Sequence, residues 1–365
     1  MLSSDKRGAG AAGGQLGSER LPRDDVRGVG EGATALQKSL GPVPVRHPSS
    51  WLPPPPSPAP SAIELEMRNL ELLHHFTTVT YATFSLDDDI REIWRMVVPR
   101  IAFQHEFVMH GLLAMSALHL SFLNPTDKSY AMVATAHYTK ALGSLRAGFP
   151  LLQPQDGTTL FAACSLTAVY VYACPPVDNM LPKAPTWIPL WRGITATTRQ
   201  YWEWVLEGEL SKLLLRKKAD QSRYAGQDIE FPSSLFDLSQ PGVPGELDPK
   251  ELEDGRVLEI YREATEMLKD SWDQFWSYDP RIAAAFKWPA TMSDGFLGFL
   301  VEQRPRALVL LAHHCVMPEL LEDQFWWIKG RGLDEIKRIE GVLEEKWKHW
   351  LDWPKARCKI SMGTG

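Results

Sequence analysis

Asp88-Asp89-Ile90-Arg91-Glu92 sets two adjacent carboxyl groups beside a third, one helical turn on. Carboxylates at that spacing can hold magnesium, which clamps a diphosphate leaving group, as in helical prenyl-diphosphate enzymes. Such chemistry normally needs a second metal-binding motif on an opposing helix, and no Asn/Asp-x-x-Ser-x-x-x-Glu pattern occurs. The same residues also suit a helix start. Ser85 or Asp87 can accept a backbone N–H, and acids favour the positive end of the helix dipole. Capping is the expectation; magnesium chemistry through Asp88, Asp89 and Glu92 is the alternative.

The histidines point less clearly to metal. His105 and His110 bracket Glu106 as a zinc-protease helix might, but metal geometry wants two histidines four residues apart. Five apart puts them about 140° around a helix. His313-His314 are adjacent and fail for the same reason, so no metal site is expected. Gly8-Ala9-Gly10-Ala11-Ala12-Gly13 matches a dinucleotide fingerprint letter for letter, without the strand and helix that would aim its amides at a pyrophosphate. No nucleophile elbow and no P-loop is present, and no cofactor is expected. Cys164, Cys174, Cys315 and Cys358 are too sparse for a disulfide scaffold, and none forms a C-x-x-C pair. Cys164 and Cys174 lie in apolar sequence and read as packed thiols.

The elements that position these residues are helical. Residues 1–62 hold 9 Gly and 10 Pro and read as a disordered tail. From Ile63 onward apolar residues recur at helical spacing, predicting helices over 69–84, 87–98 (stopping before Pro99), 103–123, 126–149 and 158–173. A Pro-rich loop follows at 175–189, then helices near 191–206 and 210–217. Residues 219–250 read as a long surface loop, and helices return over 251–276, 305–327 (kinked at Pro318) and 333–353. Arg216-Lys217-Lys218 reads as a cationic helix C-terminus, with a nuclear-import signal as its rival. No sustained period-2 alternation appears, so the fold class is all-α.

Charge and composition narrow the function. The 365 residues carry 39 Lys+Arg and 45 Asp+Glu, a net charge of −6. The tail holds 7 basic and 5 acidic residues, which leaves 63–365 with 32 basic and 40 acidic, or −8. That balance argues against nucleic-acid binding through bulk electrostatics. No uninterrupted apolar run reaches about 18 residues and no signal-peptide core leads the chain, so no membrane partner is expected and a reducing, intracellular setting is. Eight of the 14 Trp fall between 272 and 353, enough planar side chain to line a cavity for an apolar ligand.

Longer motifs carry a resemblance. Glu71-Leu72-Leu73-His74-His75-Phe76 with Thr80-Tyr81, Val98-Pro99-Arg100-Ile101-Ala102-Phe103-Gln104-His105-Glu106-Phe107, and His110-Gly111 through Leu118-His119-Leu120 come first. Ala136-His137-Tyr138, Arg304-Pro305-Arg306 through His313-His314, Trp326-Trp327 and Trp347 to Pro354 follow. In order and number these resemble the C-terminal regulatory domain of fungal zinc-cluster transcription factors, the sterol uptake control proteins being the nearest subgroup. The resemblance covers residues 65 to 354.

It implies an all-helical domain that encloses an apolar small molecule such as a sterol and controls nuclear entry and gene activation. Phe103, Phe107, Met115, Leu311 and Trp326 are then the pocket candidates, and Gly330 and Gly332 belong to a mobile cover. Arg331 stands where the family commonly has an aromatic residue. Family members read DNA through a cluster of six cysteines holding two zinc ions. All four cysteines here lie at 164 or beyond, so this sequence cannot build that cluster and no direct DNA binding is expected of it. The expectation is a nuclear regulator, shuttling with the cytoplasm, that pairs with other transcription factors or with a second copy of itself. A ligand-binding or interaction module without a transcriptional role is the remaining alternative.

Overall fold

The computed structural model describes residues 62–174, 185, 187–219, 229–240 and 249–361. The Gly/Pro-rich tail, its glycine motif and most of the Pro-rich loop at 175–189 lie outside the described residues. Within them the regular elements are helices, apart from one two-stranded antiparallel ladder pairing β1 (Lys217–Lys218) with β2 (Tyr278–Asp279). The all-α assignment holds.

The first helix, α1 (Ala62–Thr78), ends earlier than its apolar content suggests. The cause is the β-branched run 77–80. Thr77 and Thr78 turn their hydroxyls onto the carbonyls of Leu73 and His74, and the chain tightens into a 3-10 turn at Thr80–Thr83. A short helix α2 (Asp88–Glu92) then runs through a π-helical stretch, Ile93–Val97, into α3 (Val98–Ala102). The expected stop before Pro99 does not occur. The amide of Val98 reaches back five residues to Ile93, so Pro99 falls in the first turn of α3, where a missing N–H is tolerated.

Three long helices form the centre of this half: α4 (Glu106–Leu123), α5 (Lys128–Gly148) and α6 (Gly157–Ala173). Asn124-Pro125 breaks the chain between the first two, and Asp127 caps α5 by accepting the Ser129 amide. α4 packs against α1, α3, α5 and α6. It is also long and apolar enough, by length and composition, to cross a membrane, although more than half of it is buried in the protein. Counting uninterrupted apolar residues missed it because Glu106, His110, Ser116 and His119 break the run.

Beyond α7 (Trp187–Gln200) and α8 (Trp202–Glu207), the helix expected over 210–217 is absent. A 3-10 turn at Ser211–Leu214 leads into β1, so Arg216-Lys217-Lys218 does not end a helix. Lys217 instead pairs with Asp87 at 2.9 Å. The expected surface loop 219–250 is corrected in its middle. Leu235 and Leu238, in a 3-10 segment spanning Ser233–Ser239, are buried against α9 (Gly255–Ser277). Trp272 of α9 also donates to the Ile229 carbonyl at 2.8 Å.

The C-terminal half continues through α10 (Arg281–Ala285), α11 (Lys287–Thr291) and α12 (Asp294–Val301), none of which the periodicity disclosed. The helix expected over 305–327 is really α13 (Pro305–His314) and α14 (Val316–Glu319), followed by turns to Gly330. The last expected helix divides into α15 (Arg331–Val342), α16 (Glu345–Lys348) and α17 (Asp352–Ser361). One apolar cluster joins both halves, running from Leu72 and Phe76 of α1 to Leu351 and Cys358 near the end.

Candidate functional site

The segment between α14 and α15 holds two of the sequence candidates, Trp326 and Gly330, and leads directly into a third, Gly332 of α15. It is tied down at several points. Trp326 donates its indole N–H to Thr83 Oγ1 at 3.0 Å and lies flat on His119, ring centres 4.8 Å apart. Trp327 meets the edge of Tyr172 on α6 and the face of Phe286. Arg331 donates to the Ala173 carbonyl at 2.8 Å, satisfying one of the orphan acceptors at the C-terminus of α6. An aromatic residue at 331 could not supply that charge to the helix end.

Two buried acids hold the start of α15. Glu322 Oε2 accepts the Gly330 amide at 3.2 Å, and Glu319 Oε2 accepts the amides of Gly332 and Leu333, the latter at 3.2 Å. Gly330 has φ +72°, which glycine adopts without strain, and it turns the chain into α15. Gly332 is required for a different reason. A Cβ there would lie 2.4 Å from the Cys315 carbonyl oxygen and 2.7 Å from Glu319 Oε2. Burial, reinforced by repulsion from Glu322, raises the Glu319 carboxyl to about 7. The two acids were missed in sequence. The available signal was a pair of glutamates three apart inside the otherwise apolar stretch 316–322.

The five pocket candidates do not converge. Met115 and Leu311 are fully buried in the core, Phe107 is buried, and Trp326 is half-buried against α4. Phe103 closes α3 and is 69% exposed, so it does not line an enclosed site. The densest aromatic packing lies elsewhere. Tyr172 presents its edge to Trp187, Phe286 and Trp327, while Trp191 stacks on Phe286 at 4.2 Å.

The acidic motif behaves as a helix start. Asp87 caps α2 by accepting the Ile90 amide at 3.2 Å. Asp88 pairs with Arg91 at 3.0 Å, Asp89 faces Lys212 at 3.8 Å and Glu92 faces Arg95 at 3.9 Å. Each motif carboxylate thus has its own cation. Asp87→Ala should lower unfolding stability by about 0.5–2 kcal/mol. Replacing Asp88, Asp89 and Glu92 together should change it by less in the same urea titration, since exposed ion pairs contribute little.

Several histidines hydrogen-bond within the fold. His110 and His137 join α4 to α5, Nδ1 to Nδ1, at 2.9 Å. His119 meets Thr80 Oγ1 at 3.0 Å. His313 and His314 are buried, bonded to the carbonyls of Val309 and Ala285 at 2.9 and 2.7 Å. Among the described residues no three His, Cys, Asp or Glu side chains are grouped to hold a metal ion.

Fold and site together define an all-α domain whose polar side chains cap, bridge and anchor helices around one apolar core. Residues 71–207 match the model of the fungal specific transcription factor domain. The chain is 25% identical over 312 residues to a Zn(2)-C6 fungal-type transcription factor of Gibberella zeae, covering 79% of this chain and 61% of that protein. It is 27% identical over 278 residues to the Zn(2)-C6 fungal-type transcription factor afumD of Aspergillus fumigatus, covering 72% of this chain and 70% of that one. Sterol uptake control protein 2 of Candida albicans is 22% identical over 283 residues, 73% of this chain and 39% of that protein. The aligned region thus spans under two thirds of the first and third of these relatives.

Proposed function

We propose that this chain is a fungal transcription regulator acting in the nucleus, its helical domain controlling activation in response to an apolar small molecule of the sterol class. The alignment of most of this chain with proteins named as zinc-cluster transcription factors carries the reading. The name of the Candida albicans relative supports the ligand class. Phe107, Met115, Leu311 and Trp326 remain the residues assigned to that ligand, on the core side of α4 and α13. Three of them are buried, so entry of a ligand displaces existing packing around the segment that carries Trp326. The four cysteines of this sequence do not suffice for a six-cysteine cluster.

Genome-wide transcript measurement after deletion tests this. The expected result is a defined set of changed transcripts, together with nuclear accumulation of the tagged chain. Unchanged transcripts across growth conditions with and without sterol depletion would overturn it. Exclusion from the nucleus would favour an interaction module instead.

A further inference from the structure

The junction of α14 and α15 brings two buried carboxyl groups onto one helix end. Glu319 is 1% exposed and Glu322 is 7% exposed, and between them they accept the amides of Gly330, Gly332 and Leu333. Gly332 leaves no room for a side chain between Glu319 and the Cys315 carbonyl, so the Glu319 carboxyl is pressed directly on the helix backbone. The segment 320–332 also carries Trp326 onto α4 and Trp327 and Arg331 onto α6. Opening this junction therefore detaches the segment from both helices.

We propose that Glu319, with Glu322 beside it, is a proton-operated latch that holds the 320–332 segment closed and releases it when Glu319 ionises. With its proton, the carboxyl still accepts the α15 amides through Oε2. When the proton leaves to water, a buried negative charge stands next to a second acid, and exposing the junction to solvent relieves both burial and repulsion.

The other groups facing Glu319 do not reproduce this response. From α15 come Asp334, on the exposed side, and Glu335, which is bonded to Arg338 at 3.0 Å, with Arg331 bonded to α6. Cys315, Cys358 of α17 and Tyr172 of α6 all have their ionisation pushed upward by burial and stay neutral in the acidic range. His119 beneath Trp326 is pushed down to about 4, and its protonation destabilises in the opposite direction.

The sign follows from linkage. The closed state holds the Glu319 proton up to about pH 7, whereas an opened glutamate releases it near its ordinary value of 4.5. Closure is therefore strongest below pH 4.5 and weakens as pH rises to 7. Hydrogen exchange of the full chain, corrected for intrinsic amide rates, reads this directly at pH 5, 6 and 7. Peptides covering 320–335 should open about tenfold or more between pH 5 and 7 and level off above it, while peptides from 106–123 do not follow. Glu319→Gln should flatten that rise. A flat wild-type profile, or the same rise in Glu319→Gln, overturns the proposal. Should Glu319→Gln fail to fold, Glu322→Gln decides. Removing the neighbouring charge should let Glu319 ionise at lower pH in the closed state, so that the rise levels off below pH 7, and an unmoved plateau overturns the latch.

Discussion

Glu251→Ala should cost the folded state about 3–5 kcal/mol, the range for breaking a buried ion pair by removing one partner. Glu251 receives Arg306 at 2.7 Å, Arg304 at 3.4 Å and the Tyr261 hydroxyl at 2.6 Å. Arg306 is only 3% exposed and lies over the Trp347 ring, 5.4 Å from its centre, so losing the carboxylate takes the opposite charge away from a largely desolvated guanidinium. The cluster ties the 3-10 turn at Pro249–Leu252 to α9 and to the start of α13, at the edge of a recess of about 480 Å³. Glu251→Gln keeps an acceptor for Tyr261 but not the charge, and should fall between wild type and Ala. Urea unfolding followed by circular dichroism measures both. A loss below 1 kcal/mol for the Ala variant would contradict the assignment.

Acid should unfold this protein through its histidines. His119, His137, His313 and His314 are each under a tenth exposed, and burial pushes each down to about 4. In the folded state they stay neutral while the unfolded chain binds protons from about pH 6.5 downward. Their stabilisation is therefore complete above pH 6.5 and is lost as pH falls towards 4. By pH 5 the loss is about 2 kcal/mol for each histidine. Glu319 acts with the opposite sign over pH 4.5 to 7, but it is one group against four. The unfolding free energy from urea titration should therefore drop by several kcal/mol, and the midpoint with it, between pH 7.5 and pH 5. An unchanged midpoint would mean that these imidazoles reach water or hold protons in the core.

Helical periodicity located the long elements well because each of α4, α5 and α6 is bounded by residues that act locally. Asn124-Pro125 stops α4 by steric means, and Asp127 starts α5 with its own side chain. The short helices α10 to α12 escaped notice for the converse reason. Each of α10 and α11 is five residues long, too short for a repeat to register, and what holds them is packing against α9, with α14 also on α10 and α7 on α11. The burial of Leu235 and Leu238 was hidden in the same way, since a Pro/Gly/Ser-rich stretch reads as surface until a neighbouring helix covers it.

The candidate site divides along that line. Trp326, Gly330 and Gly332 were found in sequence and do sit at one junction, while Phe103 stands on the surface and Met115 and Leu311 lie within the core. The sequence by itself determined the helical class, the main breaks and the acid cap at Asp87, because these depend on residues within one or two turns of each other. Only the tertiary structure decided that Arg331 caps α6, that Glu251 neutralises Arg306, and that Glu319 and Glu322 close on the start of α15. Ala173 and Arg331 are 158 residues apart in the chain, and Glu251 and Arg306 are 55 apart. The strength of such contacts, and the ionisation of the groups in them, comes from the water that the assembled core excludes.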